Sequence, residues 1–187
     1  MVMAQQRAVK GWFTTNGRPG DRTLKEQLVG LDDLRERVVD KTVLDVGCAE
    51  GLISMQLFDE GARAVHGIEI VPGHVEIANK LRAERACTFE VADANHYTPV
   101  RQYDIVIMLA ILQKLRDPSK ACRTFAAAAR EMVVLRLPPA NAPTVIDARS
   151  GGYLHRIGDV MTSSGFMLKN AQLGHLGEWV GYYERVS

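Results

Sequence analysis

From residue 42 onward the chain alternates short apolar runs with helical segments, and this alternation restricts the possible folds more than any other feature. "TVLDVG" (42–47) reads as a strand, and "LISMQLFDEG" (52–61) as a helix closed by Gly61 at the position that favours glycine. "AVHGIEI" (64–70) is a second strand. "GHVEIANKLRAER" (73–85) is a helix with Val75, Ala78 and Leu81 on one side, and "CTFEV" (87–91) is a third strand. "YDIVIMLAIL" (103–112) is continuously apolar, which suits a central strand covered on both faces. The following helix opens with Asp117 as N-cap and Pro118 at its first position. "MVVLRL" is a fifth strand, and "YLHRIGDVMTSSG" a helix ending at Gly165. "FMLKNAQL" and "EWVGYYERV" close the chain as an antiparallel pair joined by a short glycine-containing turn. The pattern predicts an α/β fold, doubly wound, with about seven strands. The sheet is mostly parallel, with helices on both faces and an antiparallel C-terminal strand. Ligands of such sheets bind outside the carboxyl ends of the strands, so residues directly after strands are the candidates for function.

The first forty residues differ in character. "GWFTTNGRPGDR" (11–22) is rich in turn formers and reads as a loop. In "TLKEQLVGLDDLRERVV" the residues Leu24, Leu28, Leu31, Leu34 and Val38 share one helical face, interrupted near Gly30. Residues 1–40 are therefore expected to form an N-terminal arm with an amphipathic helix, and residues 41–187 the main domain. Trp12 and Phe13 would cover a ligand as a lid or else pack the arm on the core.

Composition excludes several classes. With 23 Lys and Arg against 22 Asp and Glu, the formal net charge is +1, which gives no global argument for nucleic acid. Cys48, Cys87 and Cys122 are too few and too widely spaced for a disulfide framework or a cysteine-rich metal site. No apolar run of membrane-spanning length occurs, and "MVMAQQRAVKGWF" has no signal-like apolar core, so a cytoplasmic protein without a membrane partner is expected. Oligomeric state is left open.

"TVLDVGCAEG" (42–51) carries the sharpest signal. A phosphate-binding loop would end in Gly-Lys-Ser or Gly-Lys-Thr, and a dinucleotide turn would read G-x-G-x-x-G; neither pattern is present. Asp45 and Glu50 would repel a pyrophosphate and suit a ligand with a cationic end. The stretch "VLDVGCAEG" resembles motif I of the class I S-adenosylmethionine-dependent methyltransferases, with Ala49 at the place of the motif's middle glycine. The resemblance runs from Thr42 to the C-terminus. It implies a Rossmann-like methyltransferase domain in which Asp45, Gly47, Cys48, Ala49 and Gly51 form the cofactor turn.

Further strand ends agree. Glu69 ends the second strand, where the family's acid holds the cofactor ribose, with Ile70 beside it. Asp93 follows the third strand, where the family's acid accepts from the adenine amino group, and Ala94 offers backbone to the ring. Leu109, after the long apolar strand, corresponds to the segment facing the methionine part. Each residue also has a plainer reading: Asp45 satisfied by turn amides, Glu69 and Asp93 as solvated loop acids, Cys48 as a small packing residue.

The five histidines have no metal-ligand spacing, and no metal is expected. His155 is the first choice for a general base because histidine titrates near working pH, though it is as readily structural. The family's small-molecule enzymes often carry a histidine pair before "L-x-D-P"; here Gln113 and Lys114 occupy those places. The resemblance implies an enzyme that moves a methyl group from S-adenosylmethionine to oxygen or nitrogen of a small molecule, leaving S-adenosylhomocysteine. RNA or protein methylation, or cofactor binding without catalysis, stay as alternatives.

Overall fold

The computed structural model describes residues 11–15, 18–139 and 153–186. Its main sheet contains β3 (Thr42–Val46), β4 (Ala64–Glu69), β5 (Cys87–Val91), β6 (Tyr103–Leu109), β7 (Ala129–Leu137), β8 (Phe166–Leu173) and β9 (Trp179–Arg185). The spatial order is β5-β4-β3-β6-β7-β9-β8. Pairings from β5 through β7 are parallel, while β9 runs antiparallel to both β7 and β8. This is the expected seven-stranded, mostly parallel sheet with its antiparallel C-terminal strand.

The burial of β6 explains its composition. Every residue from Tyr103 to Met108 is buried; Asp104 is satisfied by the Thr42 N–H and hydroxyl, and the rest are apolar on both faces rather than alternating. Two core layers flank the sheet. One gathers Leu34, Ile53, Leu57 and Val75; the other gathers Phe125, Ile157, Met161 and Phe166. The connecting helices α3 (Leu52–Asp59), α4 (Pro72–Leu81), α5 (Pro118–Ala127) and α6 (Tyr153–Ser163) supply most of these residues; Phe166 comes from β8 and Leu34 from the N-terminal arm. Asp117 caps α5 as expected, its Oδ1 accepting from the Lys120 N–H at 2.8 Å.

The chain moves outward from β3 through β4 to β5, then returns to the other side of β3 for β6 and β7. Strand order therefore reverses between β3 and β6, and a crevice opens at their carboxyl ends.

The arm departs from the loop reading. β1 (Gly11–Phe13) and β2 (Gly20–Arg22) form a small parallel ribbon. Turn composition marked the bends, but the strand conformation of Trp12 and Phe13 depends on a distant acceptor, described below. α1 (Leu24–Leu28) starts with a capping box between Thr23 and Glu26, and α2 (Asp32–Arg37) follows after Gly30, whose φ of +78° breaks the helix as the pattern suggested. Leu31, Leu34 and Val38 are fully buried against the sheet. Arg136 of β7, also fully buried, reinforces this junction. Its guanidinium donates to Gln27 Oε1 at 3.1 Å, the Gln27 carbonyl at 2.6 Å and the Val29 carbonyl at 3.1 Å. Glu178 lies 3.5 Å from its Nε. Among the described residues no helix is long and apolar enough to cross a membrane.

Candidate functional site

The crevice holds a cavity of about 260 Å³ lined from four strand ends and the arm. The turn after β3 forms its floor. Gly47 has φ +81° and Gly51 φ +74°, a region that disfavours side chains. A Cβ at Gly51 would also lie 2.6 Å from the Phe89 ring. Ala49 shares the left-handed backbone at φ +48°, so the place of the family's middle glycine constrains conformation as well as size.

The amides of this turn are engaged within the protein. The N–H groups of Gly47 and Cys48 both donate to the Ile68 carbonyl, at 2.8 and 3.1 Å, and that of Gly51 donates to the Cys48 carbonyl at 2.9 Å. The Ala49 N–H donates to Glu69 Oε2 at 3.1 Å, and the Val71 N–H to Glu69 Oε1 at 2.9 Å. Glu69 is thus clamped at the end of β4, with one hydrogen bond on each oxygen and a further acceptor position left on each.

Asp93 accepts on one oxygen from the backbone and side-chain nitrogens of Asn95, at 2.9 and 2.7 Å. These bonds hold its carboxyl below the usual range. Across the cavity, Leu109, Ala110 and Ile111 form the wall after β6; Ala110 takes φ +56° and donates its N–H to the Arg136 carbonyl at 3.0 Å.

Of the residues singled out in the sequence, Gly47, Ala49, Glu69, Ile70, Asp93, Ala94 and Leu109 line the cavity. Asp45, Cys48 and Gly51 stand behind the lining. Asp45 is buried and accepts from Ser54 Oγ at 2.6 Å. Burial pushes its carboxyl up to about 7; the Ser54 hydrogen bond opposes the shift and the Glu69 charge adds to it. The Cys48 thiol is also pushed up, first by burial and then by Asp45 and Glu69, which leaves it a packing group rather than a nucleophile. His155 falls in α6, and its side chain lies outside the described residues.

Glu50 differs from its sequence reading. Its carboxylate is 1% exposed and does not face the cavity. Oε1 accepts from the Trp12 N–H at 2.8 Å and Oε2 from the Phe13 N–H at 3.1 Å. This acid of the glycine turn fixes β1 in place and sets Trp12 as a wall of the cavity. His74 also lines the cavity, its Nε2 3.7 Å from Glu50 Oε1.

Lys114, at the end of the short 3₁₀ turn Leu112–Lys114, stands on the exposed rim with Nζ 4.5 Å from the centre of the Trp12 ring. Desolvation lowers its pKa, and the Glu69 charge opposes that. Its pairing with Trp12 has no local signal in the sequence.

Comparison with known proteins gives a consistent outcome. A family model described as a methyltransferase domain matches residues 38–150. The ubiquinone biosynthesis O-methyltransferase of Pseudomonas fluorescens (strain SBW25) is 32% identical over 95 residues, 49% of this chain and 40% of its own. The malonyl-[acyl-carrier protein] O-methyltransferase of Anoxybacillus flavithermus is 26% identical over 121 residues, 63% of this chain and 47% of its own. The chain thus spans less than half the length of these curated relatives. Among solved structures, a SAM-dependent methyltransferase from Aquifex aeolicus superposes with a TM-score of 0.69 at 17% identity, covering 89% of this chain and 95% of that one. The magnesium protoporphyrin IX methyltransferase from Synechocystis PCC 6803, with bound SAH, gives 0.67 at 20% identity, with 80% and 76% covered. Likeness at these identities establishes the fold.

Proposed function

The chain belongs to the methyltransferase-domain family, and from that premise we propose that it transfers a methyl group from S-adenosylmethionine to an oxygen or nitrogen of a small-molecule acceptor. The names of the two curated relatives favour oxygen.

One observation carries the cofactor reading. A phosphate cradle needs free backbone N–H groups, whereas the amides of Gly47, Cys48, Ala49 and Gly51 all have partners inside the protein. What the cavity offers instead is acceptors and close approach: the clamped Glu69 carboxylate, Asp93, and a floor of glycine and alanine. That set fits a nucleoside without phosphates. Glu69 would hold the ribose hydroxyls and Asp93 the adenine amino group, with Ala94 beside the ring. Gly47 and Ala49 would let the amino-acid end lie close, and Leu109 would border the reacting end.

The activated methyl arrives with the cofactor, so the chain's own part is alignment and exclusion of water. Trp12, fixed by Glu50, and the Leu109–Ile111 wall enclose the reacting end between them. Asp45 and Cys48 act from behind, by shaping the turn.

Calorimetric titration tests this reading. S-adenosylmethionine and S-adenosylhomocysteine are expected to bind in the micromolar range and NAD far more weakly; tight NAD binding would sink the assignment. Glu69→Ala is expected to weaken S-adenosylhomocysteine binding by roughly 1–3 kcal/mol, the scale of hydrogen bonds to a charged group. An unchanged affinity would leave Glu69 a purely structural clamp. A product screen with labelled methyl groups separates small-molecule acceptors from RNA or protein, and catalysis from binding alone.

A further inference from the structure

Among the described residues four titratable side chains line the cavity: Glu69, His74, Asp93 and Lys114. Two are carboxylates already assigned to the cofactor. His74 sits beside the Glu50 latch. Lys114 is the remaining one, and the only Lys or Arg that lines the cavity among the described residues. It belongs to the rim that follows β6, on the side of the cavity where the methyl group would be presented. Its ammonium rests over the face of Trp12, a cation–π contact that holds the head group beside the cavity.

Resting on the methyltransferase reading above, we infer that the acceptor presents an oxygen that is already anionic, a carboxylate or a phosphate, and that Lys114 selects and orients it. The chemistry fits the rest of the site. A neutral hydroxyl needs a group to take its proton, and where the family's small-molecule enzymes often carry a histidine pair this chain has Gln113 and Lys114. An anionic oxygen needs none. Its attack forms the O–CH₃ bond as the S–CH₃ bond breaks, the bonding pair stays on sulfur as a neutral thioether, and no proton moves. Negative and positive charges cancel in that step, which is favourable in a cavity that excludes water. Lys114 holds the anion in line before transfer and has less hold on the ester afterwards, which carries one negative charge fewer, and this assists release.

The test uses the full chain saturated with S-adenosylhomocysteine and four matched probes: benzoate, phenyl phosphate, benzamide and phenol. At least one anionic probe is expected to bind more tightly than the two neutral ones, and the preferred anion distinguishes carboxylate from phosphate. Lys114→Met is expected to weaken that binding about tenfold or more, the scale of one charge-assisted hydrogen bond, with S-adenosylhomocysteine affinity unchanged. Lys114→Arg is expected to retain most of it. Equal binding of charged and neutral probes, or a preference that survives in Lys114→Met, overturns the inference.

Turnover adds an independent readout. With labelled S-adenosylmethionine, transfer to benzoate gives a methyl ester that dilute alkali cleaves to methanol, and the rate is expected to be flat with pH above the acceptor's own pKa. A rising alkaline limb that disappears in Lys114→Gln would make Lys114 a general base and also overturn the inference. Failure of S-adenosylhomocysteine to bind the unmodified chain is a separate outcome: it removes the methyltransferase reading itself.

Discussion

On the β3, β4 and β5 side of the cavity, the wall residues lie at or shortly after the strand ends, and its two carboxylates are held by neighbours along the same rim. Glu69 is clamped by Ala49 and Val71, and Asp93 by Asn95. The opposite side is assembled from distant segments. Trp12 stands there because Glu50, 38 residues away, accepts from its backbone, and Lys114 reaches it from the turn after β6. The difference has a physical cause. Parallel strands with level ends deliver residues to one rim by pairing alone, whereas a covering strand has to be fixed by side chains that the sheet does not supply.

Disruption of the arm side at its root has the largest expected effect. Arg136→Met leaves the Gln27 and Val29 carbonyls and Glu178 without their buried partner, and a loss of about 3–5 kcal/mol in unfolding free energy is expected, the usual cost of removing one member of a buried ionic pair. Denaturant titration measures it. A loss under about 1 kcal/mol would mean that the arm is held mainly by its apolar face.

Glu50→Ala acts on the latch alone. Two N–H groups, of Trp12 and Phe13, lose a charged acceptor, and about 1.5–3 kcal/mol of stability is expected to go with it. With Trp179 replaced by Phe, Trp12 is the sole tryptophan, and its emission is expected to move toward that of a solvated ring. An unmoved emission would show that Trp12 needs no latch.

The smallest effect belongs to the strand-end side and depends on pH. Because burial pushes Asp45 up to about 7, the folded chain keeps a proton that the unfolded chain releases near its ordinary value of 3.8. Stability therefore falls as pH rises between these values, and the penalty is fully present above them. Asp45→Asn removes that slope: relative to the unmodified chain it is expected to gain on the order of 1–3 kcal/mol between about pH 4 and pH 8. Parallel stability curves for the two proteins would place the Asp45 carboxyl at an ordinary value.

The contrast also explains what could be read in advance. The elements of the main sheet follow from periodicity and caps, since β6 is apolar for burial on both faces and Asp117 caps α5 as its position suggests. Gly47, Glu69 and Asp93 were legible because they end strands. The roles of Asp45 and Glu50 were not: their charges suggested a cationic ligand, yet both carboxylates point away from the cavity, one to Ser54 and one to the arm. Charge along a sequence does not reveal which way a side chain faces once the turn has formed.

By itself the sequence determined the alternation of strands and helices, the two glycines of the turn and the acids at two strand ends, because these follow from local conformation and a repeating period. Only the tertiary structure decided which of those residues touch the cavity, that Glu50 fixes β1, and that Trp12 and Lys114 meet over the opening. Those are contacts between segments far apart in the chain. Their geometry exists only after the sheet has brought its carboxyl ends level and given the arm a surface to cross.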